Sequence, residues 1–202
     1  MNKQDNAVML LQKHEWALIG GVIADAFIDD PVNLWTFNGT AAMRPAFTAM
    51  ARDLYLVRGF GHRSADGRAG TLWLPPGARK TFGLRANLAL ARAILFGGGL
   101  RAVRNALAVD RFMGAERPRE PHYYLFAIAV APELQGKGRG GTLMREALRR
   151  VDAERMPAYL ENSKAANLPF YRSFGFEVIA EGAPVRGCPP VWRMWRPARV
   201  TA

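Results

Sequence analysis

The sequence predicts one α/β domain, and three observations carry that expectation. Tyr123 to Val130 is an apolar run with little polar alternation, the pattern of a central strand buried on both faces. A glycine-rich turn follows, then a helical stretch from about Arg139 to Glu154 and a strand-like run from Met156 to Glu161. That strand–turn–helix–strand order is a parallel crossover. Half of the 202 residues are hydrophobic, enough for a full core, and no repeat or long linker divides the chain. A single domain over residues 1–202 is therefore expected.

The remaining elements follow in order. Ala7 to Leu11 reads as a first or edge strand. His14 to Phe27 reads as a helix, with Trp16, Ile19, Ile23, Ala26 and Phe27 on a stripe of 3.6-residue period. Ile28 to Gly39 reads as a loop or irregular turn, because Asp29, Asp30, Pro31 and Asn33 break regular structure. Leu34, Trp35 and Phe37 give that segment large apolar groups for the core or for a pocket. Thr40 to about Val57 reads as a second helix with Met43, Phe47, Met50 and Leu54 on one face. Asp66-Gly67 predicts a hairpin turn between strands at Phe60–His62 and Ala69–Leu74, and Pro75-Pro76-Gly77 stops the second strand. Lys80 to Phe96 and Leu100 to Phe112 read as two helical pieces, divided by Gly97-Gly98-Gly99 on entropic grounds. After Glu161, a short helix is expected at Ala165–Phe174, ending at Gly175. Strands follow at Phe176–Ala180 and Val191–Trp195, with Pro189 and Pro190 at the start of the last, where missing amides matter least.

Charge and cysteine usage narrow the function. The chain carries 28 basic and 17 acidic residues, a formal charge of +11. Arginines are scattered rather than gathered into a stripe, so nucleic acid is a rival partner and not the expected one. The single cysteine, Cys188, allows no intramolecular disulfide and no cysteine metal site, so no metal is expected and a reducing, cytoplasmic setting is. No signal peptide is expected from the N-terminus. The longest apolar stretches are strand-sized, so neither a membrane span nor a membrane partner is expected.

The segment Gln135-Gly136-Lys137-Gly138-Arg139-Gly140-Gly141 carries the chemistry. A glycine turn between a strand and a helix lets backbone amides approach a phosphate, and the helix N-terminus adds its partial charge. Lys137 and Arg139 would add positive charge. A dinucleotide reading of Gly136–Gly141 is nominally possible. Against it stand the loop's late position in the chain and the lack of a suitably placed ribose-binding acid. No Gly-Lys-Ser/Thr ending supports a nucleotide triphosphate loop. A turn that merely joins strand to helix is the bland alternative.

Ala129-Val130-Ala131-Pro132-Glu133-Leu134-Gln135 through Gly140 resembles the acetyl-CoA loop of the GNAT superfamily of N-acetyltransferases, with Gln135, Gly138 and Gly140 at its defining positions. A second block, Tyr159 to Ser163, then Asn167, Tyr171 and Gly175-Phe176, resembles that superfamily's following strand, catalytic helix and next strand. Pro121 to Leu125 and Asn167 to Tyr171 look most like the puromycin N-acetyltransferase-like group. The likeness is good from about 118 to 180 and weak before 115.

The resemblance implies a mixed, mostly antiparallel central sheet flanked by helices on both faces. It also implies an acceptor-side half at 1–115 and an acetyl-CoA-binding core at 118–180. Amides of Gly136, Lys137, Gly138, Arg139, Gly140 and Gly141 would hold the pyrophosphate. Backbone at Ile128, Ala129 and Val130 would run beside the pantetheine, and Asn167 would steady it. Tyr171 would protonate the departing thiolate. Glu161 would take the amine proton, hold the substrate ammonium or fix a turn. Trp35, Phe37 and Met43 are candidate acceptor walls or plain core. The expected reaction is acetyl transfer to a small-molecule amine by a monomer or homodimer. A peptide acetyltransferase, a non-catalytic CoA-binding module and a nucleic-acid binder are the rivals.

Overall fold

A computed structural model describes residues 7–115 and 117–199. The strands are β1 (Val8–Leu10), β2 (Phe60–Ser64), β3 (Ala69–Leu74), β4 (Tyr123–Val130), β5 (Ala158–Asn162), β6 (Glu177–Gly182) and β7 (Val191–Arg196). The helices are α1 (Trp16–Ala26), α2 (Pro31–Phe37), α3 (Met43–Met50), α4 (Leu56–Arg58), α5 (Leu84–Ala115), α6 (Arg139–Ala153) and α7 (Leu168–Arg172). One sheet runs in the order β1-β2-β3-β4-β5-β7-β6. Only the β4–β5 pair is parallel; the other five are antiparallel.

Helices cover both faces because both faces are apolar. The core on the α1, α3 and α5 side contains Ile19, Ile23, Phe47, Leu54, Leu72 and Leu74; that on the α6 and α7 side contains Trp73, Tyr123, Leu125, Met144, Leu148 and Phe176. Leu72, Trp73 and Leu74 divide between the two cores as a period of two requires. On α6, Leu143, Met144, Ala147, Leu148 and Val151 are buried, one stripe at helical spacing.

Two irregularities open the sheet. Leu72 pairs with Ala127 and the next residue, Trp73, pairs with Leu125, so Phe126 is an extra residue bulged out of β4. Beside the bulge, β4 and β5 pair only from Tyr123–Leu125 to Ala158–Leu160. Beyond Leu125 they diverge, and Phe126 to Val130 face the gap.

The segment Ile28 to Gly39 is not a loop. Asp30 caps α2, its carboxylate accepting from the Asn33 amide at 2.8 Å, and Pro31 takes the first helical position. Asp and Pro are helix-start signals in that order, and only the preceding sequence makes them look like breakers. After α3, the chain makes a π-helical turn at Ala51–Tyr55 that buries Tyr55 against the bulge, with its ring stacked 3.9 Å from that of Phe126.

The glycine triplet does two different things. Gly99 alone breaks α5, at φ 71° and ψ −173°. Gly97 and Gly98 stay helical because α5 crosses α2 and α3 backbone to backbone. A Cβ on Gly98 would lie 2.1 Å from the Phe37 carbonyl oxygen, and one on Gly97 2.6 Å from Ala42. Gly98→Val is expected to lower stability by about 1–3 kcal/mol, read as a reduced Tm. An unchanged Tm would mean that α5 is not held at this crossing.

Candidate active site

The divergence of β4 and β5 opens into a cleft of about 940 Å³. Its walls come from segments spread between Ala26 and Tyr171. They include Gln135, Gly136, Gly138, Gly140 and Gly141 of the loop, together with Asn167 and Tyr171. They also include Tyr55, Lys80, Tyr124 and Glu161, and Leu90, Ile94 and Val103 from α5.

The loop end is shaped for an anion. Gly138 precedes α6 in the left-handed conformation, φ 79°, and the first amide bonded back into the helix is that of Thr142, to the Gly138 carbonyl. The amides before it have no intrahelical acceptor and carry the positive end of the macrodipole. A Cβ on Gly136 or Gly138 would meet nothing within 4 Å, so the space over the loop is open to a ligand. Gly138→Val is expected to strain the turn by about 1–2 kcal/mol and to raise KM for acetyl-CoA; an unchanged KM would detach this loop from the thioester substrate.

The loop's own side chains are turned elsewhere. Gln135 donates to the Val130 carbonyl at 3.1 Å, and the Lys137 ammonium donates to the Glu133 carbonyl at 2.9 Å. Arg139 is buried, and its guanidinium is engaged by Asp66 in the β2–β3 turn. Burial would raise the Asp66 carboxyl, but the Ser64 hydroxyl and the Arg139 guanidinium outweigh it and hold the carboxyl low. Arg139 therefore clamps the loop to the hairpin instead of presenting charge to a phosphate. Arg145, one turn on from Gly141, has a guanidinium nitrogen 3.4 Å from where a Gly141 Cβ would be and donates to the Thr142 hydroxyl at 3.3 Å.

Tyr171 is buried in the cleft wall, packed edge-on against Phe170 and Phe176. Burial, helped by the negative charge of Asp30, pushes its phenol well above the usual value. Asp30 is also the α2 cap and accepts from the Ser163 hydroxyl, so it ties the N-terminal half to the β5–α7 turn. Asn167 sits exposed at the cleft edge, one turn before Tyr171.

Glu161 lies on the cleft floor, its side chain 3% exposed, with an Arg117 nitrogen 3.9 Å away. That separation is too long for a hydrogen bond, and Glu161 Oε1, Arg117 Nε and the Tyr55 hydroxyl have no hydrogen-bond partner among the described residues. The Arg117 guanidinium covers the Tyr124 ring at 4.3 Å, and the Lys80 ammonium donates to the Tyr124 hydroxyl at 3.4 Å. Burial first, then the Glu161 charge, raises the Tyr55 and Tyr124 phenols well above their usual value. Burial lowers the Lys80 ammonium against the opposing pull of Glu161 and Asp110. The floor is thus a buried carboxylate ringed by the phenols of Tyr55, Tyr124 and Tyr159 and by two cations.

Comparison with known proteins agrees with this architecture. A sequence profile of the acetyltransferase (GNAT) domain matches residues 102–178. The fold is the GNAT acyl-CoA N-acyltransferase fold. An uncharacterised N-acetyltransferase of Schizosaccharomyces pombe is 27% identical over 182 residues, which is 84% of this chain and 74% of the relative. The crystal structure of a histone acetyltransferase HPA2 and related acetyltransferase from Corynebacterium glutamicum superposes with a TM-score of 0.70. It is 22% identical and covers 97% of this chain and 98% of its own. The PaiA N-acetyltransferase from Thermoplasma acidophilum, solved with coenzyme A, superposes at 0.55 with 12% identity over 95% and 99% of the two chains.

Within the GNAT fold, most expected site residues meet in one cleft. Ile128, Val130, Gln135, Gly136, Gly138, Arg139, Gly140, Gly141, Glu161, Asn167, Tyr171 and Phe37 all line it. The Ala129 side chain packs into the core on the α1 side, and the role expected of this residue is a backbone one. Lys137 is outside the lining for the reason given above. Trp35 and Met43 are corrections too. Once Pro31–Phe37 is a helix, Val32, Asn33, Thr36 and Phe37 share the cleft face and Trp35 points away from it. Met43 is 1% exposed and is plain core. Tyr55, Lys80, Asp110, Arg117 and Tyr124 carried no local sequence signal. His122 lies outside the cleft, hydrogen-bonded at Nδ1 to the Glu120 carbonyl at 2.6 Å. Burial pushes the Cys188 thiol up to about 11, which leaves it protonated and unreactive. Among the described residues, no group of three or more His, Cys, Asp or Glu could hold a metal.

Proposed function

We propose that this protein transfers an acetyl group from acetyl-CoA to the amine of a small, largely apolar molecule by direct attack. One observation carries the reading: a single cleft is lined by an amide-rich helix N-terminus, a buried phenol and a buried carboxylate. When bound, acetyl-CoA supplies the thioester. Its pyrophosphate fits the free amides at the start of α6, and its extended arm fits the gap where β4 has left β5.

The neutral amine forms its new bond to the thioester carbonyl carbon as the carbon–sulfur bond breaks. Backbone amides along the unpaired edge of β4 are placed to stabilise the oxygen as it gains charge. Tyr171 gives its proton to the departing sulfur, and Glu161 draws the proton from the amine. Burial and Asp30 disfavour the phenolate, so the phenol stays protonated at neutral pH while being a weaker acid than a free tyrosine. Phe37, Phe47, Phe126 and Ile94 favour an apolar body on the acceptor. The α5 wall favours a small molecule over an open peptide groove, and the intact Asn167 and Tyr171 favour catalysis over a binding-only module. The likeness of Pro121–Leu125 and Asn167–Tyr171 supports placing the chain near the puromycin N-acetyltransferase-like group.

The test is thiol release from acetyl-CoA across a panel of primary and secondary amines graded in apolar size, with CoA binding measured in parallel. Turnover that rises with apolar bulk is expected. No turnover with any amine and no CoA binding would sink the proposal.

A further inference from the structure

Helix α5 presents an outer face that the enzyme reading does not use. Only 11% of its most apolar 18-residue stretch is buried, although the helix is long and apolar enough by composition to cross a membrane. Leu84, Phe96 and Leu100 are each more than three-quarters exposed, and Leu88 more than half. Solvated apolar residues in such number on one element mark a contact surface. They are interleaved with arginine at helical spacing: Leu84, Arg85, Leu88, Arg92 and Phe96 before the Gly99 break, then Leu100, Arg104 and Arg111 after it. Residues 84–115 contain five arginines and one acidic residue, Asp110, which lines the cleft. Arg92 lies over the Phe96 ring at 5.4 Å, its charge beside the apolar tip rather than away from it. A shallow apolar depression formed by Ala41, Pro45, Leu88 and Phe96 extends the same surface towards α3.

We propose that this face of α5 docks on the surface of an anionic lipid bilayer. Mixed Leu, Phe and Arg on the outward side of a helix is the composition that lies in a headgroup interface. The inner side is already committed, since Ile94, Ala102 and Val103 pack on the fold. A spanning orientation does not fit. The break at Gly99 divides α5 into halves of about 15 residues, about 22 Å each at the helical rise, short of the roughly 30 Å of a hydrocarbon core. A spanning segment needs one continuous apolar run; a helix lying on a surface does not. A second copy fits less well than a bilayer. A two-fold contact on this face would set arginine against arginine with no carboxylate on the face to separate them. An anionic headgroup layer supplies the missing countercharge, and the acyl boundary takes the leucines and Phe96.

Sedimentation of the full chain with vesicles tests this. The protein is expected to pellet with phosphatidylcholine–phosphatidylserine vesicles, to stay in solution with phosphatidylcholine alone, and to be released by salt. The triple variant Leu88→Ser, Phe96→Ser, Leu100→Ser should reduce partitioning by more than tenfold. Arg85→Gln, Arg92→Gln, Arg104→Gln should remove the preference for anionic lipid. Both variants should keep the parent's Tm and CoA binding, since none of these residues touches the cleft. Failure of the parent to pellet with anionic vesicles overturns the proposal. So does pelleting that survives the serine variant unchanged. A dimer in light scattering that Phe96→Ser dissolves overturns it in favour of a second copy. None of these outcomes bears on whether the cleft transfers acetyl groups.

Discussion

Tyr171→Phe is expected to lower kcat by about 10²–10³-fold, the range for losing a positioned general acid. KM for acetyl-CoA should stay near the parent value, because in the proposed mechanism the hydroxyl acts on sulfur only as the bond breaks. The ring fills the same space between Phe170 and Phe176, so Tm should hold. The pH profile adds a second readout. Burial and Asp30 raise the phenol, so Tyr171 stays protonated through neutral pH and beyond its ordinary value near 10. The alkaline limb expected of an unperturbed tyrosine acid should therefore be missing from the parent below that value. A fall in rate centred well below pH 10 and absent in Tyr171→Phe would contradict a raised phenol. Turnover of Tyr171→Phe at the parent's rate would remove the residue from the mechanism. Glu161→Gln should give a separate pattern, with lower kcat while CoA binding is retained.

Arg196→Met is expected to be the most destabilising single change away from the cleft. Arg196 is 1% exposed and holds both Asp152 carboxylate oxygens, at 2.7 and 3.0 Å, in a bidentate pair. Its Nε also donates to the Phe174 carbonyl at 2.9 Å. One guanidinium thus joins β7, the end of α6 and the turn after α7, which carries Tyr171. Removing one member of a buried pair costs about 3–5 kcal/mol. The Asp152 side chain is 25% exposed, so water recovers part of that loss. About 3 kcal/mol is expected, a Tm lower by about 6–12 °C for a chain of this size. Arg196→Lys should recover only part, since an ammonium cannot reproduce the planar fork. A Tm within about a degree of the parent's would show that β7 and α6 are held by apolar packing alone.

Element by element, what was legible in the sequence was what local spacing determines. The unbroken apolar run Tyr123–Val130 became the central strand, Asp66-Gly67 became the hairpin turn, and the α6 stripe became the helix after the loop. The same local rule misled at Ile28–Gly39, where Asp30-Pro31 starts a helix that the preceding Asp29 disguises. That one error carried Trp35 into the list of acceptor walls, because only a helix separates its direction from that of Phe37.

The sequence by itself determined the strand–loop–helix whose first amides stand free and the Asn167–Tyr171 pair that follows it, since both lie within a few turns of chain. Tertiary structure alone decided what surrounds Glu161. Tyr55, Lys80 and Arg117 come to it from 106, 81 and 44 positions away, and the bulge at Phe126 fixes where they meet. It also turned Arg139 from a phosphate ligand into a clamp on Asp66, 73 residues distant. Periodicity reports which face of an element is apolar. It cannot report which other element that face, or a charge upon it, will find.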